Sequence, residues 1–147
     1  MAVRRIEPRD RNHWLQMRAE LWPAEAGHLD REVDDFLNGT SKFLDEVYVC
    51  EAADASTVGF IELRIRNYAE GSEQDAVPFV EGWYVRPALR GQGFGKALIV
   101  RAEQWARDLG YFELGSDTEI ENHGSYSAHR ALGFQETERL ICFLKKL

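Results

Sequence analysis

A chain of 147 residues, 44% hydrophobic and 12% aromatic, is long enough to bury one good core and too apolar to be a disordered tail. Its net charge of −7, from 25 acidic and 18 basic side chains, argues against a nucleic-acid surface and suits either a cationic ligand or plain solubility. No apolar run is long enough to span a bilayer, and Met1-Ala2-Val3-Arg4-Arg5 leads into charged residues without an apolar signal core, so no membrane partner and a cytoplasmic location are expected.

Val3 to Ile6 reads as a short edge strand, followed by a helix from about Asp10 on which Trp14, Met17, Leu21 and Trp22 share a face until Pro23 and Gly27 end it. A second helix from His28 turns Leu29, Val33, Phe36 and Leu37 inward and closes at Gly39. Phe43 to Glu51 and Val58 to Tyr68 form strands around Asp54-Ala55-Ser56. The second alternates Gly59, Ile61, Leu63 and Ile65 with Glu62, Arg64 and Arg66, which predicts one face that is wet or lines a cleft. Val77 to Val85 is apolar on both faces apart from Glu81 and is the expected central strand. A helix from Gly93 to about Leu109 carries Phe94, Leu98, Ala102, Trp105 and Leu109 on one stripe, with Gly110 as its cap. Tyr111 to Ser116 is a short strand, Asn122 to Leu132 a helix ended by Gly133, and Phe134 to Leu144 the final strand region. With no linker, repeat or low-complexity stretch, residues 1–147 are expected to be a single α/β domain.

Cys50 and Cys142 each sit in an apolar strand-like run and read as small buried hydrophobes. Neither has metal-ligand spacing, and no metal site is expected.

The most informative stretch is Trp83-Tyr84-Val85-Arg86-Pro87-Ala88-Leu89-Arg90-Gly91-Gln92-Gly93-Phe94-Gly95-Lys96, an apolar strand that runs through a glycine-rich turn directly into a helix. Glycine lets a ligand approach backbone N–H groups closely, and a helix start offers unpaired donors and partial positive charge. Arg90 and Lys96 add full charges, so the loop suits a pyrophosphate better than an ordinary turn would. Neither the Gly-x-x-x-x-Gly-Lys-Ser/Thr loop nor the Gly-x-Gly-x-x-Gly dinucleotide fingerprint is present.

Arg90-Gly91-Gln92-Gly93-Phe94-Gly95 resembles the Arg/Gln-x-x-Gly-x-Gly/Ala signature of the GNAT acetyltransferase superfamily, and Leu132-Gly133-Phe134 resembles that family's Leu-Gly-Phe turn. The resemblance covers essentially the whole chain. It implies the GNAT fold, a mixed, mostly antiparallel central sheet flanked by about four helices. Leu21-Trp22-Pro23, Phe79 to Val85, Ala102 to Trp105, Gly115-Ser116-Asp117-Thr118 and Ala131 to Arg139 look closely like the aminoglycoside 6′-N-acetyltransferases. That likeness implies acetyl-CoA as co-substrate, a cationic aminoglycoside as acceptor, a role in antibiotic resistance, and a homodimer whose pocket is partly completed by the neighbour.

An alkylammonium must lose its proton before it attacks a thioester, so a carboxylate has to take that proton directly or through water. Asp117 is the candidate, supported by its place in the family's Ser-Asp word, with a helix or turn cap as its plain alternative. Backbone N–H groups of Trp83, Tyr84 and Val85 are placed to stabilise the oxygen that becomes negative, and the resemblance lays the cofactor's pantetheine arm along that strand. Gly91, Gln92, Gly93, Phe94, Gly95 and Lys96, with Arg90, form the expected phosphate contact. Asn122 is either a cofactor contact or an N-cap. Many family members carry a Tyr where this chain has His129, which leaves the acid for the leaving thiolate open between His129, Tyr126 and neither.

Trp22, Tyr68, Glu81, Asp117 and Glu138 match the family's acceptor positions, each with a bland alternative in core, strand end or solvated strand. Glu81 is the least bland, because an acid inside an apolar strand is costly without a partner. The segment after Trp22-Pro23 departs from the resembling enzymes and puts Glu25 near the point where they tend to have His, either as a further carboxylate for a cation or as a solvated loop residue. The alternatives to this function are an N-acetyltransferase for another amine, such as a polyamine, a peptide N-terminus or lysine, and a non-catalytic acetyl-CoA-binding module.

Overall fold

The computed structural model describes residues 1–25 and 27–147. In chain order the elements are β1 (Ala2–Arg5), α1 (Arg11–Leu21), α2 (Leu29–Leu37), β2 (Glu46–Glu51), β3 (Thr57–Arg66), β4 (Val77–Val85), α3 (Phe94–Asp108), β5 (Gly115–Ser116) and α4 (His123–Ala131), with short 3-10 turns at Pro8–Asp10, Pro23–Glu25 and Pro87–Leu89. The five strands lie in the order β1-β2-β3-β4-β5; the first three pairings are antiparallel and β4 with β5 is parallel.

Helices cover both faces of the sheet, which is why β2, β3 and β4 are apolar almost throughout. On one face Trp14 and Met17 of α1 and Val33 of α2 pack on Val47, Val49, Phe60 and Tyr84. On the other, Phe94, Leu98, Ile99 and Ala102 of α3 pack on Tyr48, Cys50, Ile61, Leu63, Val80 and Val85. Leu109, placed by its spacing on the α3 stripe, falls past the helix end and is exposed.

Glu62 departs from the face expected to be wet or to line a cleft, on which Arg64 and Arg66 are partly exposed. It is fully buried on β3, where Trp14 Nε1 donates to it at 2.8 Å and Arg18 Nε at 2.7 Å. The alternation that predicted solvent on that face was produced by a carboxylate whose counter-charge comes from α1. Glu81 sits where the sheet is irregular: Glu62 pairs with Gly82 but Leu63 pairs with Val80, so Glu81 is the extra residue of a β-bulge. The bulge frees its side chain from the strand's alternation, and this is how an acid is accommodated inside an apolar run.

Two expected strands shrink. Of Tyr111 to Ser116 only Gly115–Ser116 pairs, and Phe112 is 98% exposed. Phe134 to Leu144, expected as the final strand, has no regular structure, and Leu140, Ile141, Phe143 and Leu144 are exposed. A strand requires a neighbour for its backbone groups, and the two-residue β5 offers this run almost no edge. Cys142, expected to be buried, is exposed with it, whereas Cys50 is buried and its thiol is pushed up to about 12 by burial, so it is no nucleophile at neutral pH. The segment Phe43 to Asp45 precedes β2 and does not extend it.

Candidate active site

The parallel β4–β5 ladder consists of Phe79 with Gly115 and Val80 with Ser116. Beyond Val80 the strands part, which leaves the outer edge of β4 from Glu81 to Val85 without a strand partner and sets Asp117 beside Glu81 at the mouth of the opening. Arg66, at the end of β3, binds Glu81 through two hydrogen bonds, Nε to Oε1 at 2.6 Å and Nη2 to Oε2 at 2.8 Å, while its guanidinium lies 3.7 Å from the centroid of the Phe79 ring. The charged form of Arg66 is favoured first by the hydrogen bonds it donates to Glu81 and then by the charges of Asp117 and Glu70 nearby.

Asp117 is reached by solvent but crowded by the walls of the cleft. That partial burial pushes its pKa above the ordinary carboxylate value; Arg66 opposes the shift, and the charges of Glu81, Glu70 and Glu119 add to it. Asp117 with Glu81, Glu70 and Glu119 against the single cation Arg66 gives the neighbourhood of Asp117 an excess of negative charge suited to a polycation. Glu81 is therefore committed to Arg66 and contributes mainly through this field. Arg66, Glu70 and Glu119 were not legible as site residues; Arg66 was visible only as a polar position on an alternating strand.

At the other end of the opening, Gly93 caps α3 in the left-handed conformation (φ 90°), and Gly91 also has positive φ, 78°. These angles bring the chain into the helix with the N–H groups of Phe94, Gly95 and Lys96 in its first turn, where no helical acceptor exists. Gly95 lies against the Trp83 ring, and a Cβ there would approach Cζ2 to 3.1 Å. The indole Nε1 of Trp83 is buried with no hydrogen-bond partner among the described residues. An orphaned N–H beside a helix start and flanking cations fits a phosphate-bearing cofactor. Arg90 donates from Nε to the Val85 carbonyl at 2.9 Å and lies over Tyr84, so it braces the loop on the strand as well as adding charge. Gln92 is exposed on the loop and Lys96 in the first turn of α3. Replacing Arg90 with Ala should weaken acetyl-CoA binding about tenfold with little change in turnover at saturation, measured by calorimetry and initial rates. An unchanged affinity would remove the loop from cofactor binding.

The Tyr84 backbone turns from this edge: its carbonyl lies against Gly59 on the β3 side, which leaves the backbones of Trp83 and Val85 facing outward. The Tyr84 ring packs on the α1 face, its hydroxyl donates to Glu20, and burial followed by Glu20 pushes its pKa up to about 12. Asn122 caps α4, its Oδ1 accepting from the Ser125 N–H at 3.0 Å. His129 is held at both nitrogens: Nδ1 lies 2.7 Å from the Ser125 carbonyl and must donate to it, and Nε2 lies 2.7 Å from the Ser116 hydroxyl. Packed edge-on against Trp83 and Phe134, it orients Ser116 just before Asp117, and both of its nitrogens are engaged within the chain. Tyr126 turns away and donates to Glu136 at 2.9 Å.

Of the acceptor candidates, Trp22 follows α1 and lies against β4 at Gly82, where a Cβ would come within 2.6 Å of its Cη2. Tyr68 is exposed in the loop after β3. Glu25 is exposed in the turn after Trp22, and Glu138 is exposed on the extended tail; neither has a described hydrogen bond that draws it to Asp117. Trp22 thus lies against Gly82, whose neighbour Glu81 acts electrostatically on Asp117.

The sequence model of the acetyltransferase (GNAT) family matches residues 13–134, from α1 to the turn after α4. The chain belongs to the GNAT acetyltransferase family. Among its GNAT relatives, an aminoglycoside N(6′)-acetyltransferase type 1 of Klebsiella aerogenes is 44% identical over 146 residues, 99% of this chain and 96% of the relative. Another from Stenotrophomonas maltophilia is 40% identical, covering 97% and 91%. Among solved structures, AAC(6′)-Iy in complex with the bisubstrate analog CoA-S-monomethyl-acetylneamine matches with a TM-score of 0.88 at 32% identity over 99% of this chain and 98% of that one. Apo AAC(6′)-IG from Acinetobacter haemolyticus matches at 0.87 and 36% identity, over 100% and 99%. The GNAT fold implied by the glycine loop is the fold observed.

Proposed function

We propose that this GNAT acetyltransferase moves the acetyl group of acetyl-CoA to the 6′-amine of aminoglycosides, by direct attack with both substrates bound, and so gives aminoglycoside resistance. The observation that carries the reading is the junction of three features at the parting of β4 and β5: a crowded carboxylate at Asp117, an open strand edge, and an anion-binding helix start. The relatives named for this activity support the choice of acceptor.

Phe94, Gly95, Lys96 and Arg90 are the groups placed to hold the cofactor's phosphates, with Gly91, Gln92 and Gly93 shaping the loop and Asn122 at the start of α4. Acetyl-CoA supplies an activated thioester. The unpaired edge from Trp83 to Val85 accepts an extended amide-bearing arm in the manner of an added strand and directs N–H groups at the oxygen that gains charge. Asp117 binds the acceptor's ammonium and, because crowding makes it a stronger base than an ordinary carboxylate, takes the proton directly or through one water. A thiolate, with a thiol pKa of about 8.5, leaves near neutral pH without a dedicated side-chain acid, in accord with His129 being tied down. Trp22 supplies an aromatic wall, and Tyr68, Glu25 and Glu138 form an outer acceptor rim. Conversion of a charged amine to a neutral amide removes one of the charges through which the acceptor binds polyanions.

The proposal includes a homodimer of single-domain chains in the cytoplasm. The exposed apolar residues of the tail and Phe112 support it, since a run such as Leu140 to Leu144 calls for cover. Among the described residues no helix is long and apolar enough to cross a membrane.

Initial rates measured with both substrates varied should give intersecting double-reciprocal lines; parallel lines would show an acyl-enzyme and overturn direct transfer. The pH dependence has a predicted sign. Activity requires Asp117 unprotonated, so kcat/KM falls as the pH drops through its raised pKa. Arg66 lowers that pKa, so replacing Arg66 with Met should move the acid limb to higher pH, and a limb unmoved or displaced downward would show that Asp117 is not the group observed.

A further inference from the structure

Beneath Trp22 lies a buried charge cluster that the reaction does not use. Arg18, 2% exposed, donates from Nε to Glu62 at 2.7 Å, from Nη2 to Glu32 of α2 at 2.6 Å, and from Nη1 to the Leu29 carbonyl at 3.1 Å. Its guanidinium carbon stands 5.1 Å from the centroid of Trp22 and 5.7 Å from that of Trp14, so it is held between the two indoles. Trp22 also meets Phe60 at 6.4 Å, and on the strand beside it Glu62 is the register partner of Gly82, the glycine whose missing Cβ makes room for both the indole and the Glu62 carboxylate.

This arrangement exceeds what core packing requires, because a buried ion pair offers little net stability over apolar side chains of similar volume. It has two effects on the indole. The bidentate-capable guanidinium, fixed by acceptors on β3 and α2, forms a flat support that fixes the ring plane. The two carboxylates outweigh the single cation, so the cluster beneath the ring is net negative and the aromatic wall remains attractive to a cation on its other side.

We propose that Glu62, acting through Arg18, is a positioning residue for acceptor binding: it holds Trp22 in the orientation that receives the aminoglycoside, without touching substrate. The proposal rests on Trp22 forming the acceptor wall. Substituting Glu62→Gln keeps an acceptor for the Trp14 N–H but removes the charge opposite Arg18.

The test is a double-mutant cycle between Glu62→Gln and Trp22→Ala, read as separate KM values for tobramycin and acetyl-CoA by thiol release. Glu62→Gln should raise the tobramycin KM about five- to tenfold with the acetyl-CoA KM within about twofold. Trp22→Ala should raise it at least as much, and the double variant should be no worse than Trp22→Ala alone. A Glu62→Gln effect that persists in full on the Trp22→Ala background, or that raises both KM values alike, overturns the proposal. Should Glu62→Gln not fold, Arg18→Met with Glu62→Met, which leaves only the half-exposed Glu32 without its partner and no unpaired charge in the interior, takes its place in the cycle under the same criteria. If Trp22→Ala leaves the tobramycin KM unchanged, the proposal fails with the wall assignment while aminoglycoside acetylation stands; if the unmodified chain releases no thiol with any aminoglycoside, the acceptor reading itself fails.

Discussion

Replacing Asp117 with Asn should lower turnover with a 6′-amino aminoglycoside by about a hundredfold or more. The amide keeps the size and one acceptor oxygen of the carboxylate but neither its charge nor its basicity, so the ammonium loses both its counter-ion and its proton acceptor. Acetyl-CoA affinity should stay within about twofold, because Asp117 follows β5 and is no part of the α3 loop proposed for the phosphates. Calorimetry with the cofactor and initial rates with the acceptor separate the two effects. The loss should shrink as the pH rises, since at high pH more of the amine arrives already neutral. Unchanged turnover would remove Asp117 from the mechanism, and a parallel loss of cofactor affinity would point to collapse of the β4–β5 opening.

The second large effect concerns stability. Replacing Glu62 with Ala should destabilise the fold by about 3–5 kcal/mol and lower Tm by roughly 10 °C, because Arg18 is left charged in the interior without its main partner and Trp14 loses the acceptor of its N–H. Full burial raises the pKa of Glu62, with Arg18 opposing it through both charge and hydrogen bonding. Substituting apolar residues of similar volume at Arg18 and Glu62 together should recover most of the lost stability. Chemical denaturation of the single and double variants distinguishes the cases: equal losses in both would mean that the carboxylate's own packing, and not the unpaired charge, sets the cost.

The contrast between Glu62 and Glu81 shows what was legible in the sequence. Local rules sufficed where one element decides its own fate. Trp14 and Met17 repeat at helical spacing and are buried as a stripe, Gly93 and Gly95 mark a strand-to-helix turn and form one, and Asn122 stands at a helix start and caps it. A buried acid depends on partners from other elements. Glu62 alternates on β3 as a solvent-facing residue would, and only the arrival of Arg18 from α1 makes the interior acceptable. Glu81 was legible as an anomaly, yet neither the bulge that re-aims it nor Arg66 leaves a periodic trace.

The tail illustrates the same limit from the other side. Leu140 to Leu144 has strand composition, but strand formation depends on an available edge, and within this chain β5 provides only Gly115 and Ser116. His129 was readable as a substitution for the family's Tyr. Its role as an orienting residue follows only from the hydrogen bonds that fix both nitrogens.

On the proposed function, Asp117, the open edge of β4 and the α3 loop together serve the acetylation of a 6′-amine. Free-thiol release from acetyl-CoA by the purified chain, with tobramycin compared against an aminoglycoside carrying a 6′-hydroxyl in place of the amine, tests it most directly. Release with the 6′-amine and none with the 6′-hydroxyl is the predicted result. Equal release with both, or release only with an unrelated amine such as spermidine, would contradict it.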